Sequence, residues 1–231
     1  MTWLKKVAQR LDGIYRYKIL SRAMRILLRP GPSDGLVRLG TVYGGWWVPK
    51  SSLKAGNLAY CAGAGEDISF DRALHAEGLE VAVFDPTPRA IKFVATAAPA
   101  DKKFRFYPVG WWDSATSLKF YAPRDATHVS HSVVNLQGTE HFFEAQVERV
   151  SDLAERFGDT EIEIIKMDIE GAEYAVLEDL LQNGPLPRVL CIEFDQPESP
   201  LKTIRAVKKL RASDYTLRHI DLWNYTFTRN K

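Results

Sequence analysis

Short apolar runs alternate with amphipathic stretches along most of the chain. The runs have the length of buried strands, and the stretches between them repeat apolar residues at helical spacing. The predicted strands are residues 58–61, 81–84, 104–107, 163–167 and 189–192. The predicted helices are residues 67–76, 88–94, 151–158, 172–181 and 200–210, with Thr87, Ser151 and Ser199 as candidate N-terminal caps. Alternating strands and helices predict a mostly parallel sheet that is covered on both faces.

Three further pairs of strand-like segments lie outside this alternation. Residues 36–39 and 43–48 read as a hairpin whose turn holds Gly44 and Gly45 beside two tryptophans. Residues 118–121 and 142–147 are separated by a polar loop, and residues 215–220 and 223–228 form a closing hairpin. The closing hairpin is expected to add an antiparallel edge to the sheet.

The first thirty residues differ from the rest in charge. They carry eight Lys or Arg against the single acid Asp12, a net +7, whereas the remaining chain has 23 basic and 28 acidic residues, a net −5. Their apolar residues recur at helical spacing: Trp3 or Leu4, Val7, Leu11, Ile14, Leu20, Met24 and Leu27. We interpret residues 1–32 as a helical extension of a domain spanning residues 33–231. The alternatives for the extension are a helix on an anionic membrane surface and a homodimer arm.

Composition narrows the class of protein. The 231 residues are 45% hydrophobic and 26% charged, which is typical of one large globular domain. The apolar runs are too short to cross a bilayer, and the charged N-terminal region does not resemble a secretory signal. Cys61 and Cys191 lie inside apolar runs, which favours buried thiols and a cytoplasmic location.

A glycine turn follows the strand at residues 58–61. Gly63 and Gly65 allow the backbone to approach a ligand, and the next strand ends at Asp85, 20 residues after Gly65. An acid at that position can accept hydrogen bonds from both hydroxyls of a ribose. The pattern predicts a cofactor that contains a nucleoside.

The residues after the turn favour one such cofactor. The dinucleotide pattern needs a third glycine where this chain has Ile68, and Glu66 and Asp67 would repel a pyrophosphate. S-adenosylmethionine has a ribose without phosphate and carries two cationic groups. A nucleotide-dependent oxidoreductase or epimerase, and a binding module without catalysis, remain alternatives at this point.

A second group of acids follows the strand at residues 163–167. Asp168 and Glu170 are expected at the carboxyl end of that strand, where open parallel sheets bind ligands. Glu173 is expected to cap the next helix. A magnesium site formed by Asp168, Glu170 and Glu193 is a weaker alternative, and the prediction is that no metal is bound.

These motifs together resemble the FkbM family of S-adenosylmethionine-dependent methyltransferases. The resemblance spans about residues 43–229 and rests on Gly-Ala-Gly-Glu-Asp at 63–67, Phe-Asp-Pro-Thr-Pro at 84–88 and Lys-Met-Asp-Ile-Glu-Gly-Ala-Glu at 166–173. It implies the Rossmann-like class I methyltransferase fold, an α/β fold whose seven-stranded sheet is mostly parallel with an antiparallel C-terminal hairpin. It also implies O-methylation of sugars, polyketides or related natural products.

The resemblance also implies roles for individual residues. The glycine loop would hold the methionine part, Asp85 the ribose, and residues 109–113 the adenine. The implied cofactor-binding residues are Cys61, Ala62, Gly63, Gly65, Glu66, Asp67, Asp85, Pro86, Gly110, Trp111, Asp113 and Asp168. Cys61 departs from the family pattern because an acid usually stands two residues before the first glycine, so Glu66 or Asp67 is expected to contact the cofactor ammonium.

The acceptor side is predicted from the same reasoning. The candidate catalytic residues are Asp168, Glu170 and His131, each able to take the hydroxyl proton. The candidate acceptor-binding residues are Trp46, Trp47, His128, His131 and Glu170, the tryptophans together with Trp111 as an apolar or sugar-stacking wall. The acidic body argues against nucleic acid, so a small-molecule or saccharide acceptor is expected.

Overall fold

The computed structural model describes residues 18–121, 141–194 and 199–230. In these ranges the strands are β1 (Leu36–Leu39), β2 (Trp46–Pro49), β3 (Leu58–Ala62), β4 (Glu80–Phe84), β5 (Phe104–Tyr107), β6 (Gly110–Trp111), β7 (Thr116–Tyr121), β8 (Phe142–Glu148), β9 (Ile164–Met167), β10 (Val189–Glu193), β11 (Tyr215–Asp221) and β12 (Asn224–Arg229). The helices are α1 (18–28), α2 (Ser69–Ala76), α3 (Pro88–Ala97), α4 (Val150–Phe157), α5 (Glu173–Asn183) and α6 (Pro200–Ala212).

The central sheet has seven strands in the order β11-β12-β10-β9-β3-β4-β5. The five strands from β10 to β5 are parallel, β12 runs antiparallel to β10, and β11 runs antiparallel to β12. This is the expected fold, a mostly parallel sheet with an antiparallel C-terminal hairpin. The strand order reverses between β3 and β9. Strands β4 and β5 extend the sheet on one side of β3, and strands β9 and β10 extend it on the other side.

Helices cover both faces of this sheet, as the uninterrupted apolar strands predicted. Buried residues of α2 and α3 pack on one face together with Trp46 and Val48 of β2. Buried residues of α1, α4, α5 and α6 pack on the opposite face. Every residue of β3 and β9 is buried, which follows from their position in the middle of the sheet.

Two of the three predicted helix caps are present. The Thr87 hydroxyl accepts a hydrogen bond from the Ala90 amide at the start of α3, and the Ser199 hydroxyl accepts one from the Leu201 amide at the start of α6. The prediction for Ser151 is wrong. Helix α4 begins at Val150 with Arg149 at its N-cap position, because Val150 is buried and its side chain extends the apolar face of the helix.

A separate sheet of three strands, in the order β6-β8-β7, lies outside the central one. The sequence predicted β7 and β8 but neither their separation from the central sheet nor β6. Strand β6 has only two residues, which is too short for a pattern of alternating side chains. It pairs in parallel with the end of β8, Gly110 opposite Val147, and its Trp111 ring packs 5.2 Å from the ring of Phe84 in β4.

The described part of the N-terminal extension forms α1 and packs on the body. Met24 and Leu28 are buried in the core cluster, and the Ser21 hydroxyl donates a hydrogen bond of 3.1 Å to the carbonyl oxygen of Leu222. The Gly31 amide donates to the carbonyl oxygen of Leu217 at 2.8 Å. Among the described residues, no helix combines the length and the hydropathy required to cross a bilayer.

Candidate active site

A cleft of about 230 Å³ opens at the carboxyl ends of β3, β4 and β9. It lies where the order of the parallel strands changes direction, which is where open α/β sheets bind ligands. Its lining residues are Tyr43, Gly44, Trp46, Ala62, Gly63, Ala64, Gly65, Glu66, Asp67, Phe84, Asp85, Pro86, Thr87, Gly110, Trp111, Phe120, Lys166, Asp168, Ile169, Glu170, Ala172, Glu193 and Asn224. This set contains six carboxylates and one lysine, so the described lining is strongly acidic and suits a cationic ligand.

The glycine loop after β3 passes directly over the end of β9. Gly63 has a positive φ of 87°, and a Cβ atom added to it would lie 1.7 Å from the carbonyl oxygen of Asp168. The Gly63 amide donates to the carbonyl oxygen of Phe84 at 2.9 Å. Only glycine allows both the backbone conformation and this close approach of two loops.

Asp85 holds the glycine loop in place. Its Oδ2 accepts hydrogen bonds from the amides of Ala64 and Gly65 at 2.9 and 3.0 Å. Its Oδ1 accepts from the amide and the hydroxyl of Thr87 at 2.8 and 2.6 Å. A carboxylate has about four acceptor positions. Asp85 therefore connects the loop after β3 to the first turn of α3, and its predicted contact with a ribose remains a prediction.

Replacing Asp85 with alanine is expected to reduce both stability and cofactor affinity. Four donors would lose their acceptor, which should lower the free energy of unfolding by about 2–4 kcal/mol and the affinity for S-adenosylmethionine by more than about tenfold. Urea denaturation and calorimetry measure the two effects. Unchanged affinity in a folded Asp85→Ala protein would contradict this prediction.

The ribose role has its own test in the Asp85→Asn variant. If the carboxylate contacts ribose hydroxyls, the wild type should bind adenosine more tightly than 2′,3′-dideoxyadenosine, and the variant should lose that preference. Equal discrimination by both proteins would leave Asp85 with its bracing function alone.

Lys166 is a buried cation at the centre of the acidic cleft. Its side chain is 6% exposed, and its Nζ lies 2.5 Å from the carbonyl oxygen of Gly63 and 3.4 Å from Oδ2 of Asp168. Burial lowers the pKa of Lys166, but the carboxylates of Asp168 and Asp71 raise it by more, so the pKa lies above its ordinary value. The lysine therefore remains charged and links the glycine loop to the acidic end of β9.

Behind the loop, Cys61 and Asp71 occupy a buried position next to Lys166. Burial raises the pKa of the Cys61 thiol well above its usual range, and Asp71 is only 2% exposed. Burial also raises the pKa of Asp71, while Lys166 and the Cys61 thiol act in the opposite direction. The thiol stays protonated, which is consistent with the sequence-based interpretation of a buried strand-end cysteine.

The turn after β9 carries Glu170 in a conformation that side chains rarely adopt. Glu170 has a φ of 53°, and Gly171 follows with a φ of 102°. The buried carboxylate of Glu173 supports the turn by accepting hydrogen bonds from the amides of Ile169 and Gly171 at 2.9 and 2.8 Å. The prediction that Glu173 caps α5 is wrong: Ala172 stands at the N-cap position without a side-chain cap hydrogen bond, because Glu173 binds amides of the preceding turn. The backbone strain at Glu170 costs about 1–3 kcal/mol and points to a function for its side chain.

A hairpin turn forms the outer wall of the cleft and is hydrogen-bonded to the segment that follows the glycine loop. The Thr41 hydroxyl donates to Oδ2 of Asp67 at 2.6 Å, and the Ser69 amide donates to Oδ1 of Asp67 at 2.8 Å. This turn between β1 and β2 presents Tyr43 and Gly44 to the cleft. Desolvation, followed by the negative charges of Asp168 and Glu193, raises the pKa of Tyr43. Its hydroxyl therefore stays protonated and can donate a hydrogen bond.

The attachment of this turn should depend on pH. Burial raises the pKa of Asp67, but the hydrogen bonds from Ser69 and Thr41 lower it by more, so the pKa in the folded protein is depressed. A depressed carboxylate pKa contributes stability above the unfolded value of about 3.9, and the contribution is lost as the pH falls through the folded value. The difference in melting temperature between the wild type and Asp67→Asn should therefore shrink as the pH falls below about 4. If the difference in melting temperature between the two proteins stayed constant as the pH fell, this prediction would be contradicted.

The structure brings most of the predicted site residues together. The lining includes Ala62, Gly63, Gly65, Glu66, Asp67, Asp85, Pro86, Gly110, Trp111, Asp168, Glu170 and Trp46. Trp46 and Trp111 are only 1% and 2% exposed because their rings pack into the core, so almost none of either ring is accessible for the predicted stacking wall. Glu66 also pairs with Arg89 at 3.2 Å, and Asp67 holds the hairpin turn, so both predicted ammonium contacts have partners within the chain. Their role toward the cofactor remains a prediction.

Other predicted residues lie elsewhere. Cys61 is buried behind the loop, Asp113 lies outside the lining with its Oδ1 accepting from the Ser114 hydroxyl, and the Trp47 ring packs 4.9 Å from His219. His128 and His131 are outside the described residues. Within the described ranges, no group of three or more His, Cys, Asp or Glu has an arrangement that fits a metal ion.

Sequence reasoning missed Lys166, Tyr43 and Phe120 as lining residues. A signal for Lys166 was present, because a lysine inside an otherwise apolar buried strand needs a nearby negative charge. Tyr43 and Phe120 gave no comparable signal, since they reach the cleft only through the packing of the hairpin turn and of the separate sheet.

A protein family matches most of the chain. The family model described as the methyltransferase FkbM domain matches residues 52–217. Among solved structures, the Methanococcus jannaschii fibrillarin pre-rRNA processing protein is 10% identical, with a TM-score of 0.45 over 86% of this chain and 84% of that one. A TehB-like SAM-dependent methyltransferase from Corynebacterium glutamicum is 11% identical, with a TM-score of 0.42 over 78% and 84%.

No curated protein sequence matches the chain. The family match covers most of its length and includes the glycine loop, Asp85 and the acidic turn after β9. The chain belongs to the FkbM methyltransferases, which take the methyl group from S-adenosyl-L-methionine.

Proposed function

We propose that this methyltransferase methylates a hydroxyl group of a small molecule or a saccharide-like natural product. The observation that carries the proposal is the placement of Asp168 and Glu170 in the same cleft as the glycine loop and the exposed aromatic ring of Tyr43. Carboxylates can take a proton from a hydroxyl, and an exposed aromatic ring offers a stacking surface for a sugar or another ring.

The residues of the cleft fit the cofactor. The Gly63–Gly65 loop would hold the methionine part, Asp85 or its loop the ribose, and Gly110 and Trp111 the adenine. When bound, S-adenosylmethionine supplies a methyl group on a positively charged sulfur that becomes a neutral thioether once the methyl has left. The acidic lining stabilises a cationic ligand. The positive charge of Lys166 offsets the repulsion between the carboxylates of Asp168 and Asp71.

The chain's own residues position the acceptor and remove its proton. Residues that hold the acceptor hydroxyl against the methyl donor would supply much of the rate, because methyl transfer depends mainly on positioning. The proton leaves the oxygen as the new carbon–oxygen bond forms, and Asp168, Glu170 or His131 takes it. Lys166 orients Asp168 through the contact at 3.4 Å, and Glu173 fixes the turn that carries Glu170.

The electrostatics of the cleft support a small acceptor over a nucleic acid. Six carboxylates face one lysine in the described lining, and a phosphodiester chain would be repelled there. The two free, buried cysteines support a reducing compartment, and we place the reaction in the cytoplasm.

The test is transfer of a labelled methyl group from S-adenosylmethionine to a panel of acceptors. The panel should contain hydroxylated sugars and polyketide-like alcohols, with amines, thiols and total RNA as competitors for the label. Label recovered as a methyl ether on a small hydroxylated acceptor supports the proposal. Transfer to RNA or an amine alone would overturn it, and cofactor binding with no transfer to any acceptor would favour a binding module.

Glu170 offers a sharper prediction about the base. If it takes the proton, Glu170→Gln should lower kcat by at least about 100-fold while the Kd for S-adenosylmethionine stays within about twofold. Glu170→Gly is the matched structural control, since glycine adopts a φ of 53° freely and should raise stability by about 1 kcal/mol while kcat is also lost. Full activity in either variant would remove Glu170 from catalysis.

A further inference from the structure

The outward face of α1 carries a basic stripe beside an apolar one. Lys18, Arg22, Arg25 and the following Arg29 recur every three or four residues and are all exposed. Ile19, Ile26 and Leu27 are 58%, 70% and 61% exposed, and helical spacing places Ile19 and Ile26 beside the basic stripe. The opposite face of the helix is already used, because Ser21, Met24 and Leu28 are buried against the body.

Helix α1 is joined to the hairpin between β11 and β12. Leu222 in the turn of that hairpin is 50% exposed and has a φ of 54°, and its carbonyl oxygen accepts the hydrogen bond from Ser21. Asn224, two residues later, pairs with Glu193 at the end of β10 and lines the cleft. This basic and apolar surface therefore begins at the same edge of the sheet as the cleft.

The charges of this surface point to an anionic partner. In the described part of the chain, none of the four cations forms an ion pair with a carboxylate. Residues 1–30 have a net charge of +7, whereas the rest of the chain has −5. A polyanion without an apolar phase would use only the cations, while a phospholipid surface uses both stripes.

We propose that α1 docks the enzyme on an anionic phospholipid surface. Ile19, Ile26 and Leu27 enter the region between headgroups and acyl chains, and the four cations extend to the lipid phosphates. Because Ser21 joins α1 to the turn between β11 and β12, the docked helix lies beside the carboxyl edge of the sheet. The proposal does not depend on the identity of the methyl acceptor.

The experiment is co-sedimentation of the full chain with two kinds of vesicle. One kind consists of phosphatidylcholine alone, and the other of equal parts phosphatidylcholine and phosphatidylglycerol. The wild type should sediment with the anionic vesicles, release as salt is added, and stay in solution with the neutral ones. Reversing two charges in Arg22→Glu/Arg25→Glu should lower partitioning at least about 20-fold. Removing apolar area in Ile19→Ser/Ile26→Ser should lower it about tenfold.

The matched control changes the same net charge on the other face of the sheet. Arg72 of α2 and Lys92 of α3 are exposed, so Arg72→Glu/Lys92→Glu should keep nearly full vesicle binding. Unchanged melting temperature and cofactor affinity show that each variant is folded. Absence of wild-type binding to anionic vesicles, equal loss in the α1 variant and the control, or equal binding to neutral vesicles would overturn the proposal. A homodimer that the α1 charge reversals dissociate, without vesicle binding, would also overturn it.

Discussion

Gly63→Ala is expected to destabilise the protein by more than about 4 kcal/mol and to abolish cofactor binding. The added Cβ would lie 1.7 Å from the carbonyl oxygen and 2.8 Å from the carbonyl carbon of Asp168. Both contacts are with backbone, so the loop after β3 and the turn after β9 would have to separate. The positive φ of 87° adds about 1–2 kcal/mol for any residue other than glycine.

Gly65→Ala is the matched control because the two glycines share one loop. Gly65 also has a positive φ, 49°, but an added Cβ meets nothing within 4 Å. Its alanine variant should therefore lose only about 1–2 kcal/mol. Chemical denaturation of both variants measures the difference in their free energies of unfolding. If Gly63→Ala does not fold, the yields of folded monomer are compared instead. Similar losses in the two variants would show that the contact with Asp168 is unimportant.

Lys166→Met is expected to lower the free energy of unfolding by about 3–5 kcal/mol, because it removes the cation that compensates buried carboxylates. Asp71 would remain buried without a positive charge nearby, and the Gly63 carbonyl would lose its donor. Affinity for S-adenosylmethionine should fall by about tenfold or more, because the glycine loop loses the hydrogen bond that Lys166 donates to the Gly63 carbonyl. Denaturation curves and calorimetry on the same samples give the two values.

Two companion variants make this prediction specific. Lys209→Met removes an exposed partner of Glu178 and should cost less than about 1 kcal/mol. Lys166→Met/Asp71→Asn should be more stable than the single Lys166 variant, since the second change removes the uncompensated charge. If Lys166→Met and Lys209→Met had equal effects, the buried cation would have no special role.

Much of the fold follows from the sequence because the sheet is buried on both faces. Strands such as β3 and β9 must be apolar throughout, so their positions were visible as runs, and Thr87 and Ser199 mark helix starts through their own hydroxyls. Strand β6 and the separate three-stranded sheet were missed because two residues carry no pattern. The start of α4 was misplaced because burial of Val150 outweighed the capping preference of Ser151.

The candidate site was predictable where one segment carries the signal. The glycine loop, Asp85, Asp168 and Glu170 stand at strand ends, and parallel strands bring such ends together. The contacts of Asp85 with Ala64 and of Lys166 with Gly63 join segments 21 and 103 residues apart, and no local pattern encodes them. The same reason hides Tyr43, which reaches the cleft through the hydrogen bond between Thr41 and Asp67.

The internal bracing of the glycine loop has a kinetic consequence. Each of its three residues is fixed by the chain itself: Gly63 by Phe84 and Lys166, and Ala64 and Gly65 by Asp85. The conformational entropy of this loop is therefore lost when the chain folds and not when the cofactor arrives. Cofactor association needs no rearrangement of the loop, and a single-exponential association with a rate proportional to cofactor concentration is the behaviour that such a preformed site produces.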